Sequence, residues 1–213
     1  GKILVEKVNP AWLIFSEGFD SGRLTYLIKR VLDLLMATFG LLGSLPVSLI
    51  TAVLIKLESP GPVLYRQERV GAKGVVFSII KFRSMRTDAE RHGAVWAREN
   101  DARVTRVGGF IRKVRIDEIP QMWNVIRGQM SFVGPRPALF NQDDLIALRT
   151  EKGVHELLPG LTGWAQVNGR DELPIPQKVQ LDVEYLHQRS FLFDLKIIWM
   201  TALKVLVRDG VSH

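Results

Sequence analysis

The chain has 213 residues and no cysteine, which excludes a disulfide framework, Cys-ligated zinc, iron–sulfur clusters and thiol catalysis. At 46% hydrophobic and 24% charged residues it is not intrinsically disordered, and its length suits one domain, at most two. Lys plus Arg number 29 against 22 Asp plus Glu, so the +7 surface seeks phosphate, as nucleic acid, nucleotide or anionic bilayer.

The first residue is glycine and no basic-then-apolar leader follows, so a fragment without a signal peptide is expected. Residues 22–29 have the pattern of a basic, interfacial helix start with Tyr26 at headgroup level. Residues 34–55 carry no charge, close to the roughly 20 residues that a bilayer span requires. Lys29 and Arg30 precede this run and Lys56 follows it, and basic flanks mark the cytoplasmic side, so both ends ask for the same side. Pro46 removes a backbone donor and clashes with the preceding turn, which Gly43 and Ser44 loosen further. A helix, a break and a second helix that dip into one leaflet and return satisfy all of this over residues 21–58. A straight span and a buried core helix are the alternatives. Asp33 and Glu58 are expected at interface depth.

Residues 63–69 and 75–82, parted by a turn over 71–74, predict a β-hairpin. Helices follow at 86–97, 119–127, 138–150 and Ile175–Gln188, the last opened by Pro176, with loops at 133–137 (VGPRP) and 158–170 between them. Phe191–Val207 is apolar but interrupted by Asp194, Lys196 and Lys204, so it is no span. At about 100° per residue Asp194, Thr201, Lys204 and Arg208 share one face and Trp199 points away, giving an amphipathic helix on the bilayer or on the core. The expected class is α/β (α+β): a compact, helix-rich domain over 59–213 with a β-hairpin, on a re-entrant helix hairpin.

The densest constellation is Arg112-Lys113-Val114-Arg115-Ile116-Asp117-Glu118-Ile119-Pro120-Gln121. Adjacent carboxylates behind three cations can hold an anion or a metal, and an aspartate kept ionised by arginines can attack phosphorus, with Mg²⁺ bridging it to substrate. Helix capping by Asp117 with surface ion pairs is the plainer account. Arg136 is clamped between Pro135 and Pro137, ready for a phosphate or simply solvated. Lys81 and Arg83, two apart at a strand end, would share a face and could grip a diphosphate. Asp88, Glu90 and His92 fit helix capping, and His155 and His187 lack metal-ligand spacing. No phosphate-binding glycine loop occurs, and the aromatics do not interleave with basic residues, so no nucleic-acid partner is expected.

In order, KFRSM (81–85), DEIPQMWNV (117–125), MSFVGPRP (130–137) and PGLTGWAQVNGR (159–170), behind a proline-broken apolar segment, resemble the bacterial sugar transferase family, the monotopic phosphoglycosyl transferases. The resemblance covers about residues 25–212. It implies transfer of a sugar 1-phosphate from a nucleotide diphosphate sugar, by analogy a UDP-sugar, to undecaprenyl phosphate at the bacterial inner membrane, with the catalytic part on the cytoplasmic face. It implies Asp117 as nucleophile and Mg²⁺ ligand and Glu118 as its partner. Arg112 and Arg136 would hold phosphate and Lys81 is the matching lysine, with Arg83 and Arg170 also in the matched motifs. It implies the re-entrant helix with its break at Pro46. Relatives often have serine directly before that proline, whereas Leu45 intervenes here after Ser44, and the usual Asp-Glu-Leu-Pro-Gln has Ile119. Residues 1–20 resemble the linker that precedes the catalytic domain in larger members. A homodimer is permitted by the charge and the apolar last helix. A non-catalytic membrane anchor and a Mg²⁺-dependent lipid diphosphate hydrolase are the competing readings.

Overall fold

A computed structural model describes residues 23–89, 101–169 and 173–207. The expectations for residues 1–20, Glu90, His92, Arg170 and Arg208, and for most of a helix over 86–97, lie outside these. The described part of that stretch, 86–89, is a turn.

Helix α1, Arg23–Gly43, and helix α2, Leu45–Glu58, meet at Ser44 with a bend of 59°. Pro46 in the first turn of α2 supplies no N–H, and beside it Ser44 Oγ donates to Leu41 O at 3.1 Å. No single described helix is long and apolar enough to cross a membrane, although the bent pair passes that test by length and composition.

The ridge of α1 at Arg30, Asp33, Ala37 and Gly40, spaced by three and four, faces the rest of the protein. Ala37 is fully buried with Phe77, Ile79, Val125 and Met130. A Cβ on Gly40 would lie 2.7 Å from Met122 Sδ. Asp33 is buried on this ridge and accepts from Phe132 N at 3.1 Å, a backbone donor that would otherwise have no partner on that side. Glu58 likewise accepts from Val107 N, at 3.1 and 3.2 Å. Leu35, Phe39, Leu49, Ile50 and Leu57 of the bent pair stay exposed.

Strands β1, Leu64–Val70, and β2, Val76–Phe82, form the expected antiparallel hairpin, in register from Leu64↔Phe82 to Val70↔Val76. Strand β3, Ser131–Val133, pairs in parallel with the later β5, Gly160–Thr162, and β4, Ala138–Leu139, extends the hairpin sheet in the order β2-β1-β4. Glycine permits the close approach beside β3, since a Cβ on Gly160 would sit 2.2 Å from Gly134 N.

Helix α3, Arg106–Lys113, was not foreseen because Gly108 and Gly109 conceal it. Thr105 caps it by accepting from Gly108 N, and a Cβ on Gly108 would lie 1.9 Å from Ser84 O. The helix expected at 119–127 divides into a 3₁₀ segment, Ile116–Gln121, and α4, Met122–Ile126. That expected at 138–150 gives up its start to β4 and becomes α5, Asp143–Glu151. Helices α6, Trp164–Asn168, α7, Ile175–Gln188, and α8, Phe191–Val207, complete the chain, the last two with the bounds predicted. The result is a mixed helix and sheet fold with small sheets, as expected.

Helix α8 packs one ridge on the core and leaves another exposed. Asp194, Ile197 and Thr201 face the protein: Ile197 is fully buried, and Asp194 accepts from Tyr185 Oη at 2.8 Å and pairs with Lys29 of α1. Thr201 Oγ1 lies 2.7 Å from Thr162 Oγ1. Leu195, Trp199 and Leu203, about 170° around the helix from that ridge, stay exposed, Trp199 by 65%.

Candidate active site

The chain leaves α3 through Arg115, whose φ of 62° is left-handed, and this reversal starts the 3₁₀ segment that carries Asp117 and Glu118 side by side. Asn124, fully buried, fastens the segment to β2: its Oδ1 accepts from Ile80 N at 3.1 Å and its Nδ2 donates to Ser78 O and Gln129 Oε1, each at 2.8 Å. Lys81 shares the strand face of Phe77 and Ile79 and therefore points at this segment. It donates from Nζ to Glu118 Oε1 at 3.1 Å.

Glu118 collects three cations, with Arg115 Nη1 2.8 Å from its Oε2 and Arg136 Nη1 3.9 Å from its Oε1 in addition to Lys81. Burial alone would push its carboxyl up, but the charges of Lys81, Arg115 and Arg136 outweigh burial and hold it well below the usual carboxylate range. Asp117 behaves oppositely. It is 7% exposed, and no hydrogen bond or ion pair reaches its side chain among the described residues. Burial first and the Glu118 charge second push it up to about 6, against the opposing charges of Lys81, Arg115 and Arg112.

The structure thus brings Lys81, Arg112, Asp117, Glu118 and Arg136 together. Arg83 is not among them. β2 ends at Phe82, so the alternation that would have set Arg83 beside Lys81 stops, and its guanidinium turns to the end of α2, donating to Ser59 O at 2.8 Å and Pro60 O at 3.0 Å. Pro46 sits at the bend in the helix pair, and Arg170 lies outside the described residues.

Sequence reasoning passed over two kinds of residue. Arg115 was one of a run of cations, and only its left-handed backbone reveals it as the closest cation to Glu118. Arg149 and Arg69 hold the VGPRP loop: Arg149 donates to Arg136 O at 2.7 Å and Arg69 to Pro137 O at 3.1 Å, so the clamp on Arg136 is tertiary as well as proline-made. A buried arginine is the only sequence-level hint of such a role, and burial is not legible locally.

The pattern of the family described as "Bacterial sugar transferase" matches residues 24–208. The chain is 42% identical over 189 residues to an uncharacterized sugar transferase, EpsL, of Bacillus subtilis, which covers 88% of this chain and 91% of that protein. It is 41% identical over 198 residues to a UDP-glucose:undecaprenyl-phosphate glucose-1-phosphate transferase of Xanthomonas campestris, covering 89% of this chain but 41% of the relative's length. Over 135 residues, 63% of this chain and 71% of the relative, it is 56% identical to a putative undecaprenyl-phosphate N-acetylgalactosaminyl 1-phosphate transferase of Bacillus subtilis. Since the family pattern runs through every described element around the dyad, the chain belongs to the bacterial sugar transferase family.

Proposed function

We propose that this chain moves a sugar 1-phosphate from a UDP-hexose to undecaprenyl phosphate by way of a covalent intermediate on Asp117. The observation that carries this reading is the unequal dyad. Glu118 is neutralised by Lys81, Arg115 and Arg136, while the Asp117 carboxylate beside it has no protein partner among the described residues. A buried carboxylate without a described protein partner, in a cation-rich corner, suits a nucleophile next to a place for its phosphate.

In the first step an Asp117 oxygen attacks the β-phosphorus, and the bond from that phosphorus to the oxygen bridging the two phosphates breaks. UMP leaves with that oxygen, and the sugar phosphate remains as an acyl phosphate on Asp117. In the second step a phosphate oxygen of undecaprenyl phosphate attacks the same phosphorus, and the acyl phosphate bond breaks. The product is undecaprenyl-diphosphate-sugar, and the Asp117 carboxylate is restored. Arg112 and Arg136 would hold the phosphates, and Lys81 and Arg115 keep Glu118 ionised so that its charge orients them.

No cluster of three or more metal-ligating side chains occurs among the described residues. A protein cage for a metal is therefore not formed, but Mg²⁺ is commonly bound through one or two carboxylates together with substrate phosphates. The Asp117 carboxylate fits that mode and would hold the ion, which would supply charge neutralisation for the diphosphate.

The exposed apolar residues of the bent pair and the basic residues at its ends support a re-entrant anchor with the break at Pro46, which sets the site at the cytoplasmic face of the inner membrane. A water-soluble donor and a lipid acceptor meet there.

The test is intact-protein mass spectrometry of detergent-solubilised protein with Mg²⁺ and a panel of UDP-hexoses, without lipid. The expected result is a mass increase of one hexose phosphate, lost in Asp117→Asn. UMP release that appears only when undecaprenyl phosphate is present, with no adduct, would replace the intermediate by direct transfer.

A further inference from the structure

A cavity of about 320 Å³ borders the dyad, with Arg115 and Glu118 in its wall. The rest of its lining is mostly apolar: Ile119 and Met122 follow the dyad in sequence, Phe132 and Leu161 come from the parallel strand pair, and Ile198 and Ala202 from α8. Lys204 adds a second cation to the wall.

The position of α8 decides what such a cavity can take. Its residues Ile198, Ala202 and Val205 line the cavity, while Leu195, Trp199 and Leu203 are exposed on the outside. The two ridges are offset by one residue, about 100° around the same helix. A chain lying along the outer ridge therefore reaches the cavity by passing over one helix edge. Met122, also in the wall, packs on the inner ridge of α1 beside Gly40, so the cavity lies close to the base of the bent helix pair.

We infer that this cavity, between the dyad segment and α8, receives the first isoprene units of the lipid acceptor, with its phosphate between Arg115 and Lys204. The inference rests on the transfer reading above and adds where the acceptor enters. The apolar walls match a hydrocarbon chain, and at their polar end Lys204 and Arg115, the latter also paired with Glu118, match its anionic head, while Thr162 and Thr201 in the wall are engaged with each other rather than open to a sugar ring. One feature favours the donor sugar instead: Gln166, also in the wall, donates from Nε2 to Leu161 O at 3.3 Å and keeps a buried Oε1 without a described partner. Sugar occupancy is accordingly the competing outcome.

The experiment uses the whole chain in detergent and separates the two half-reactions. Ala202→Trp fills the cavity, and Leu203→Trp, one residue on, places the same ring on the outer ridge. With Ala202→Trp the sugar-phosphate adduct should form at a rate within about twofold of the unaltered protein, while KM for undecaprenyl phosphate rises by about tenfold or more, a loss typical of a blocked apolar subsite. Leu203→Trp should leave the adduct rate unchanged and shift that KM far less than Ala202→Trp does. Loss of the adduct in Ala202→Trp would assign the cavity to the sugar and overturn the inference, as would no change in either half-reaction. Ile198→Gln keeps the volume but makes the wall polar, and should raise the same KM if Ala202→Trp does not fold.

Binding decides the cavity independently of turnover. Farnesyl phosphate should bind the unaltered protein at least about tenfold more tightly than inorganic phosphate, and Ala202→Trp should erase that difference. If no adduct forms in the unaltered protein but this chain-length preference stands, the transfer mechanism fails and the lipid subsite survives. Equal binding of both probes would remove the subsite.

Discussion

Two buried carboxylates meet arginine in this molecule with opposite consequences. In the first, Asp182 of α7 is 2% exposed and accepts from Arg149 at Nε, 3.0 Å, and Nη2, 2.7 Å, while the third arm of that guanidinium holds Arg136 O. All three nitrogens of that guanidinium are engaged, and burial still outweighs the Arg149 charge, so the Asp182 carboxyl is raised. In the second, Glu118 draws on three cations and falls below its ordinary range, leaving Asp117 beside it raised and without a described protein partner. One cation per buried carboxylate makes a strut. A surplus of cations around two carboxylates makes a place for an anion that the protein does not itself supply.

The largest effect should come from breaking the strut. Asp182→Ala leaves the Arg149 guanidinium buried without its partner, and a loss of about 3–5 kcal/mol is expected in denaturant unfolding. Asp182→Ala with Arg149→Met should recover much of it. A double variant no more stable than the single one would mean that the Arg149 link to Arg136, and not the ion pair, holds this corner.

Next comes Lys81→Met, which removes the cation 3.1 Å from Glu118 while keeping the apolar stem. Activity should fall by about 10²-fold, the scale of losing one preorganised charge, with the melting temperature changed far less than in the strut variants. Equal damage to stability and activity would make Lys81 another strut.

Asp117→Asn sharpens the contrast from the other side. Because the folded protein raises this carboxyl from 3.8 to about 6, its ionisation disfavours the folded state; the relative stability present at low pH is lost as pH rises through 6. Asp117→Asn should therefore be more stable than the unaltered protein at pH 8, by on the order of 3 kcal/mol, with the gap closing at pH 4. The same titration predicts adduct formation that rises with pH through about 6, because only the ionised carboxylate attacks. A stability gap independent of pH would show that Asp117 is not the group titrating.

The smallest effect belongs to Tyr185→Phe. The hydroxyl donates to Asp194 at 2.8 Å in the link that also engages Lys29 of α1, and burial, with the Asp194 charge behind it, raises its own pKa far above the ordinary value. Its removal should cost about 1–2 kcal/mol, read as a shift in melting temperature, with the adduct yield unchanged.

Local signals were enough for the hairpin, for α7 and for α8. The hairpin turn takes positive φ at Gly74, which glycine allows, Pro176 opens α7, and a sustained apolar period marks α8. The order of four motifs was enough for the family. These properties depend on neighbours within a few positions, so the chain states them outright.

Where the polar groups point was a different matter. Asp33 was visible as a charge at the edge of the apolar run, but not its donor Phe132 N, 99 positions away in the chain, and Arg83 left Lys81 for carbonyls at the end of α2. The paired carboxylates were visible, but not the left-handed Arg115 that turns them, nor the buried Arg149 that holds Arg136 over them. Helix α8 shows the division most plainly: its amphipathic pattern was written in the sequence, and only packing decided that its polar ridge faces inward and an apolar one outward. Propensity and periodicity act over one or two turns, whereas a buried charge takes its direction from partners that only the folded chain brings within 3 Å or so.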